Sequence, residues 1–311
     1  MKSVSIVVPV YNEDDNIEHF CANVESVMDP LGYGYEILFV DDGSKDTSRD
    51  LLRRLEKEDP HVQAMFLARN SGHQCALTCG LDHAEGDAVI TMDGDMQHPP
   101  DLLPLLLEKW EKGYEVVQTV RLTTEGVSFF KRLTSKYYYK FLNMISDVPI
   151  QPGGSDFRLM DHRVVLAFRK YREHARFIRG MVGSMGFRQT TLEFVAPKRF
   201  AGVSKFSLKK MAHFAMDGIL AYSSVPLRWA FYVGLLSGLC SLLMLLHVFY
   251  ETWQGNAVAG WATITACILL FGGVQMVFLG IFGEYIGRIF EEVKGRPLYL
   301  VSKEKGKEPW E

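Results

Sequence analysis

The chain has 311 residues, 48% of them hydrophobic, and a net charge of −3, which suffices for one large or two small domains. The near-neutral total hides an asymmetry. Residues 1–125 carry 10 basic against 24 acidic side chains, residues 126–215 carry 17 against 5, and residues 216–311 carry 7 against 8. The five cysteines, Cys21, Cys75, Cys79, Cys240 and Cys267, form no C-x-x-C pair, which excludes a zinc site or disulfide framework and fits a reduced cytoplasmic setting.

In chain order, the first 121 residues alternate strand and helix patterns. Val4–Val10 is a short apolar run, and Glu13–Met28 reads as a helix with acids in its first turn. Tyr35–Val40 is a second strand, Asp46–Asp59 a helix stopped by Pro60, and Val62–Leu67 a third strand. Gly72–Ala84 is a helix, Ala88–Met92 a fourth strand, Pro99–Lys112 a helix with prolines in its first turn, and Glu115–Val120 a fifth strand. Repeated βα units predict an α/β domain with a mainly parallel sheet covered on both faces. Ligands of such sheets bind beyond the carboxyl ends of the strands. The polar clusters fall there: Tyr11-Asn12-Glu13, Asp41-Asp42-Gly43-Ser44, Arg69-Asn70-Ser71-Gly72 and Asp93-Gly94-Asp95.

Any one cluster is an ordinary turn composition. Four at one sheet edge are not explained as solvated turns. No G-x-G-x-x-G follows the first strand and no G-x-x-x-x-G-K-[ST] occurs, which disfavours a dinucleotide fold and a P-loop. Asp93 and Asp95 repel each other unless a cation lies between them or one is protonated. Mg²⁺ and Mn²⁺ commonly bridge one or two carboxylates to substrate phosphates. The pair is therefore a candidate metal–diphosphate holder, with Gln97 a neutral ligand or orienting group. The nine histidines are scattered and read as structural or surface residues.

The basic middle segment needs an anionic partner: nucleic acid, a phosphorylated ligand or lipid headgroups. Phe129, Leu133, Tyr137, Phe141 and Ile145 recur every fourth position beside Arg132, Lys136 and Lys140, an amphipathic helix suited to a membrane interface. Ser207–Tyr222 predicts a second such helix. Trp229–Tyr250 and Gly260–Gly283 lack Asp, Glu, Lys and Arg, and each exceeds the roughly 20 residues that cross a bilayer. Two transmembrane helices are expected. Their connecting loop, Glu251–Ala259, has no Lys or Arg, whereas Lys209, Lys210 and Arg228 precede the pair and Arg288, Lys294 and Arg296 follow it. The positive-inside rule puts both flanks and both termini in the cytoplasm. No secretory signal peptide is expected at the N-terminus. The spans, and the absence of a recognised motif, speak against a nucleic-acid partner.

The stretches PVYNE (Pro9–Glu13), VDDGSKDTS (Val40–Ser48), RNSGH (Arg69–His73) and MDGDMQHPP (Met92–Pro100) resemble family-two glycosyltransferases of the GT-A fold. GSDFRLMD (Gly154–Asp161), KRFAGVSKFS (Lys198–Ser207), the two apolar spans and EYIGRIFEEVKGRPLY (Glu284–Tyr299) extend the resemblance over essentially the whole chain. The closer similarity is to the polyprenyl-phosphate branch, bactoprenol glucosyltransferases above all and dolichol-phosphate mannose synthases beside them. One departure is Gly94, where the dolichol enzymes usually have alanine.

The resemblance implies an enzyme that moves one sugar, glucose from UDP-glucose, to polyprenyl (undecaprenyl) phosphate. It implies inversion, Mg²⁺ or Mn²⁺ as cofactor, and a bacterial inner membrane. GDP-mannose, UDP-galactose and UDP-N-acetylhexosamine are alternative donors, and a non-catalytic membrane-anchored GT-A subunit is an alternative role. Pro9, Tyr11, Glu13, Val40, Asp41, Asp42, Asn70, Asp93, Gly94 and Arg121 would bind the nucleotide sugar. Asp93, Asp95 and Gln97 would hold the metal. Arg158, Lys198, Arg199, Ser204 and Lys205 would bind the acceptor phosphate, and Asp156, Asp95, Arg199 and Lys205 would be catalytic. A phosphate monoester is mostly dianionic near neutral pH, so a general base is hardly needed. Asp156 is thus expected as a base, as a partner of Arg158 or a sugar hydroxyl, or as a support for positive charge developing on the sugar. The expected organisation is a nucleotide-sugar half (1–125), an acceptor half (126–206), an interfacial helix (207–227), the two spans (228–284) and a cytoplasmic tail (285–311). Gly234-x-x-x-Gly238 suits helix packing, and a homo-oligomer, in one form a tetramer, is expected.

Overall fold

The computed structural model describes residues 1–122, 153–195, 225–255 and 260–303. The expected amphipathic helices at 129–145 and 207–222, and the candidates Lys198, Arg199, Ser204 and Lys205, lie outside the described residues. The described residues fall into two units, one of 1–122, 153–195 and 297–303, the other of 225–255 and 260–296.

The first unit is built on an eight-stranded sheet. Its strands are β1 (Ser3–Val10), β2 (Gly34–Asp41), β3 (Val62–Leu67), β4 (Ala88–Thr91), β5 (Val116–Arg121), β6 (Gly154–Asp161), β7 (Gln189–Phe194) and β8 (Val301–Lys303). Their order is β7-β5-β6-β4-β1-β2-β3-β8. β3, β2, β1 and β4 run parallel. Side chains alternate between two buried layers because a strand's period is two. Ile6, Val8, Ile37 and Phe39 meet helices α1 (Asp14–Met28) and α4 (Leu103–Glu111) through Phe20, Val24, Leu106 and Trp110. Val7, Leu38 and Val40 face α3 (His73–His83), α5 (His162–Phe168) and α6 (Ile178–Ser184). α2 (Ser48–Glu58) adds Leu52 to the first layer. Pro9 cannot donate to a ladder, and it lies past Val7, where β1's pairing with β4 ends.

The mainly parallel sheet matches the expectation, and an antiparallel strand is inserted in it. The fifth strand does not pair with the fourth. β6 lies between them, antiparallel to both. An antiparallel strand starts at the edge where its neighbours finish. The residues that open β6 therefore join the carboxyl ends of β1–β4, and so do the ends of β5 and β7, which run parallel to each other. The predicted helix at Pro99–Lys112 begins as a 3₁₀ turn, Pro100–Leu102, before α4.

The far edge is closed by the last described residues. β8 runs antiparallel to β3, with Lys303 opposite Phe66 and Val301 opposite Leu67. The Ala68 amide donates to the Leu300 carbonyl (2.8 Å), and the Ser302 hydroxyl to the Phe66 carbonyl (2.9 Å). Upstream, the Tyr299 hydroxyl donates to Asp82 Oδ2 (2.7 Å), which also receives Arg172 (2.7 Å).

The second unit is a pair of long helices, α7 (Val225–Trp253) and α8 (Trp261–Val293). Large apolar side chains such as Leu235, Leu239, Ile268 and Val277 are exposed along them. Among the described residues, one stretch, Leu270–Val293, is long and apolar enough to cross a membrane; the apolar run in α7, Trp229–Met244, is shorter. The stretch in α8 extends beyond the expected Gly260–Gly283 into a turn where Arg288 pairs with Glu284 (3.5 Å). At 1.5 Å per residue α8 measures about 50 Å, more than a bilayer's apolar core of about 30 Å.

Removing the Tyr299 hydroxyl leaves Asp82, almost fully buried, with one partner fewer. Tyr299→Phe is expected to destabilise the sheet unit by about 1–2 kcal/mol. That corresponds to a thermal midpoint lower by about 2–8 °C in detergent, while an unaltered midpoint would show that the tail adds nothing to the unit.

Candidate active site

Three loops interlock at the shared strand edge. Asp42 directly follows β2 and accepts the amides of Ser71 (2.6 Å) and Gly72 (2.9 Å), so the turn after β3 hangs on its carboxylate. Burial raises the Asp42 pKa, and those two amides offset part of the rise. Asp41 is fully buried. Its Oδ2 receives Arg49 Nε (2.6 Å), and its carboxylate also receives the amides of Gly43 and Ser44 (3.2 Å). Arg49 reaches on to the Leu67 carbonyl (2.6 Å) and ties β2 to β3. Gly43 has φ +76°, and a Cβ there would stand 2.6 Å from the Asn70 amide nitrogen. Only glycine lets the two turns approach so closely. The loop after β1 is tied in the same way: the Asn12 amide donates to Ser44 Oγ (2.9 Å), the Glu13 amide to Ser48 Oγ (3.1 Å), and Asn12 Oδ1 accepts from Lys45 (2.8 Å). Tyr11 is exposed beside them, and Val40 is buried in the second layer.

The acidic pair follows β4. Gln97's amide donates to Asp95 Oδ1 (3.1 Å), and Gln97 Oε1 accepts from Arg121 Nη2 (3.2 Å). The turn uses Met96 at φ +60°, a conformation that costs a residue with a Cβ about 1–2 kcal/mol. Gly94 packs on β1: an added Cβ would lie 3.1 Å from Val10 Cγ1, so alanine fits after a shift of a few tenths of an ångström.

His98 holds this turn from beneath. It is buried, stacked on Phe157 (5.1 Å between centroids), and its Nδ1 lies 2.8 Å from the Asp93 amide. An amide can only donate, so Nδ1 is the acceptor and Nε2 carries the proton, donating to Ser155 Oγ (2.7 Å). Burial lowers the pKa, and the ring stays neutral. A neutral imidazole thus links the Asp93 backbone to the strand that carries Asp156.

Asp156 is the most heavily bound carboxylate of the site. Oδ1 receives Arg158 Nη2 (3.0 Å) and Arg179 Nε (2.9 Å); Oδ2 receives Arg179 Nη2 (3.1 Å) and Gln74 Nε2 (3.3 Å). His73 Nε2 stands 3.7 Å from Asp156 Oδ2 and 3.6 Å from Asp93 Oδ1. Burial alone would raise the Asp156 pKa, but His73, Arg179 and Arg158 outweigh it and hold the carboxyl well below the usual range. Arg158 lies wholly inside, also bonded to the Ser155 carbonyl (3.2 Å). Gln74 accepts from the Ile178 amide (3.2 Å) and so sets the start of α6 against α3.

The structure therefore gathers Pro9, Tyr11, Glu13, Asp41, Asp42, Asn70, Asp93, Gly94, Asp95, Gln97, Arg121, Asp156 and Arg158 at one sheet edge. His73, Gln74, His98 and Arg179 were not among the residues singled out for the site. His73 and His98 close two of the quoted stretches, RNSGH and MDGDMQH, which was the signal available for them. Nothing local marks Arg179.

Residues 5–168 match the glycosyl transferase family 2 model, and the chain belongs to that family of enzymes. Residues 225–289 match the model of the GtrB C-terminal hairpin. The chain is 43% identical to the uncharacterised glycosyltransferase YkcC of Bacillus subtilis, over 97% of this chain and 94% of that one. It is 39% identical to the bactoprenol glucosyl transferase of Shigella phage SfII, over 96% and 97%. It is 37% identical to the prophage bactoprenol glucosyl transferase homolog of Escherichia coli K12, over 97% and 99%.

Asp156→Asn removes the charge that two guanidiniums share. Breaking a buried pair of this kind costs about 3–5 kcal/mol, so the variant is expected to lose thermal stability together with activity. The wild-type pH dependence follows from the sign of the shift. A depressed carboxyl stabilises the fold above the ordinary carboxylate pKa of about 4 and loses that contribution only on acidification below it. No ionisation of Asp156 should therefore appear in the pH–rate profile between about pH 5 and 8. A limb in that range that vanishes in Asp156→Asn would contradict the geometry.

Proposed function

We propose that this enzyme transfers a single glucose from UDP-glucose to polyprenyl phosphate, with inversion at the anomeric carbon, at the cytoplasmic face of a bacterial plasma membrane. The observation that carries the reading is the placement of Asp93, at the acidic pair, against the clamped carboxylate Asp156, with His73 between them at 3.6 and 3.7 Å. The bactoprenol glucosyl transferases similar to it over nearly their whole length support the acceptor and the sugar.

The residues present fit a hard divalent cation. Asp93 keeps about a third of its side chain exposed, and Asp95 and Gln97 lie on the same turn. Among the described residues no three acidic, histidine or cysteine side chains form a complete ligand set. Two carboxylates completed by substrate phosphates are the usual arrangement for Mg²⁺ and closely related ions. Asp93 and Asp95 would hold Mg²⁺ or Mn²⁺, with Gln97 adjoining, and the bound ion would offset the charge of the departing diphosphate.

The chain's own groups do the rest. Pro9, Tyr11, Glu13, Val40, Asp41, Asp42, Asn70, Gly94 and Arg121 form or support the nucleotide-sugar site. Asp42 acts through the 69–72 turn that it grips, and Asp41 through Arg49. A phosphate oxygen of the acceptor attacks the anomeric carbon as the bond to the β-phosphate oxygen breaks, and UDP leaves. The acceptor is already ionised at neutral pH, and Asp156, held as an anion, is too weak a base to be needed. Its role is to face the sugar, to orient a hydroxyl and to favour the positive charge that grows there. Lys198, Arg199, Ser204 and Lys205 bind the acceptor phosphate in this reading; Arg158, expected beside them, has no exposed surface and acts through Asp156 instead. α7 and α8 both span the bilayer, the 254–259 loop lies outside, and the protein is a homo-oligomer.

The direct test is a donor screen with undecaprenyl phosphate in detergent micelles: UDP-glucose should give a lipid-linked glucose, and failure with every sugar nucleotide would sink the proposal. Asp95→Asn, or excess chelator on the wild type, should slow transfer at least about a hundredfold with the protein still folded; near-normal rates would remove the metal. For topology, Gln254→Cys should react with an impermeant thiol reagent applied to whole cells, and Lys303→Cys should not. The reverse pattern would put the catalytic unit on the wrong side.

A further inference from the structure

We propose that Arg179 is a ligand of the acceptor's phosphate, sharing its guanidinium between that phosphate and Asp156. The inference rests on the function proposed above and adds a residue that the motifs did not indicate. Two arginines meet the one carboxylate, and they differ in access. Arg158 has no exposed surface and is tied to the Ser155 carbonyl and to Asp156. Arg179 leaves 36% of its side chain exposed while gripping both carboxylate oxygens through Nε and Nη2. A guanidinium has five donors, and its planar fork suits phosphate oxygens as well as carboxylate. Arg158 alone can keep Asp156 ionised and in place when Arg179 turns part of its fork outward.

Position selects which phosphate arrives. The donor's diphosphate belongs to the Asp93–Asp95 turn. Arg179 reaches the centre from α6, on the Asp156 side of the His73 ring. With the donor's diphosphate on the Asp93 side of His73 in the proposed reaction, a phosphate held by Arg179 would meet the sugar from the Asp156 side, opposite the departing group, as displacement with inversion requires. The anion that fits is a phosphate monoester carried on a lipid. As that phosphate takes donors from Arg179, Asp156 Oδ2 is released from one of its bonds and can accept a sugar hydroxyl instead. Acceptor binding would thus complete the sugar contact.

The experiment compares Arg179→Lys and Arg179→Gln with wild type in detergent micelles, using undecaprenyl phosphate and UDP-glucose, with UDP affinity measured separately by calorimetry. Arg179→Gln should raise KM for the lipid phosphate about 10- to 100-fold. Arg179→Lys, which keeps the charge without the fork, should raise it less. UDP affinity should stay within about twofold, which also reports that the unit is folded. An unchanged acceptor KM with only kcat reduced would make Arg179 a positioning residue for Asp156 and overturn the proposal. So would a loss of UDP affinity equal to the acceptor effect, because the guanidinium would then serve the donor or the fold. A wild type that transfers to no lipid phosphate fails the parent reading. A wild type that transfers normally while the Arg179 variants keep its acceptor KM fails this proposal alone.

Discussion

The site depends on one buried carboxylate that cannot be neutral and cannot be free. Asp156 lies where an antiparallel strand enters the edge at which four parallel strands end. Unpaired, its charge would be costly there. Arg158 answers it from inside the sheet, Arg179 from α6, and Gln74 and His73 from the first turn of α3. Three separate segments, β6, α6 and α3, are thereby referenced to a single pair of oxygens. Their positions are set together because each brings a charge or a donor to the same carboxylate.

The loops after β1, β2 and β4 are organised on the same principle with weaker forces. Asp42 and Asp41 are spent on amides and on Arg49, so they shape the loops more than they face a ligand. Gly43 permits the contact between turns, and Met96 accepts a strained conformation to aim the acidic turn. Strain of this kind persists where surrounding bonds over-determine the backbone, and here His98 supplies them. In the proposed reaction that rigidity would serve chemistry: a diphosphate and a sugar held on fixed loops need little reorganisation as charge moves between them.

How far this was legible varies with the range of the interaction involved. The βα alternation, the strand ends and the acidic pair are local signals, written in periodicity and turn residues, and the observed elements differ from the expected ones by a residue or two. β6 was recognised only as a motif. GSDFRLMD carries charge in the interior of a strand, and Arg158 is tolerated there because Asp156 is its partner, which no local pattern reports. Arg179 and Gln74 owe their place to α6 packing on α3, and β8 is too short to register as a strand. The basic stretch at 198–205, which the resemblance tied to the acceptor, lies outside the described residues.

The closure of the sheet by β8 has a consequence for biosynthesis. Ser302 bonds a carbonyl 236 positions earlier in the chain. The ribosome completes β3 and must then make the rest of the sheet unit and both long helices before the strand that covers its edge exists. At 5–20 residues per second that wait is roughly 10–50 s. During it β3 presents an open edge, the kind of surface that recruits stray strands. Both long helices are therefore synthesised before the sheet is finished, and in the membrane-bound reading proposed above they are free to enter lipid before the final edge contact forms.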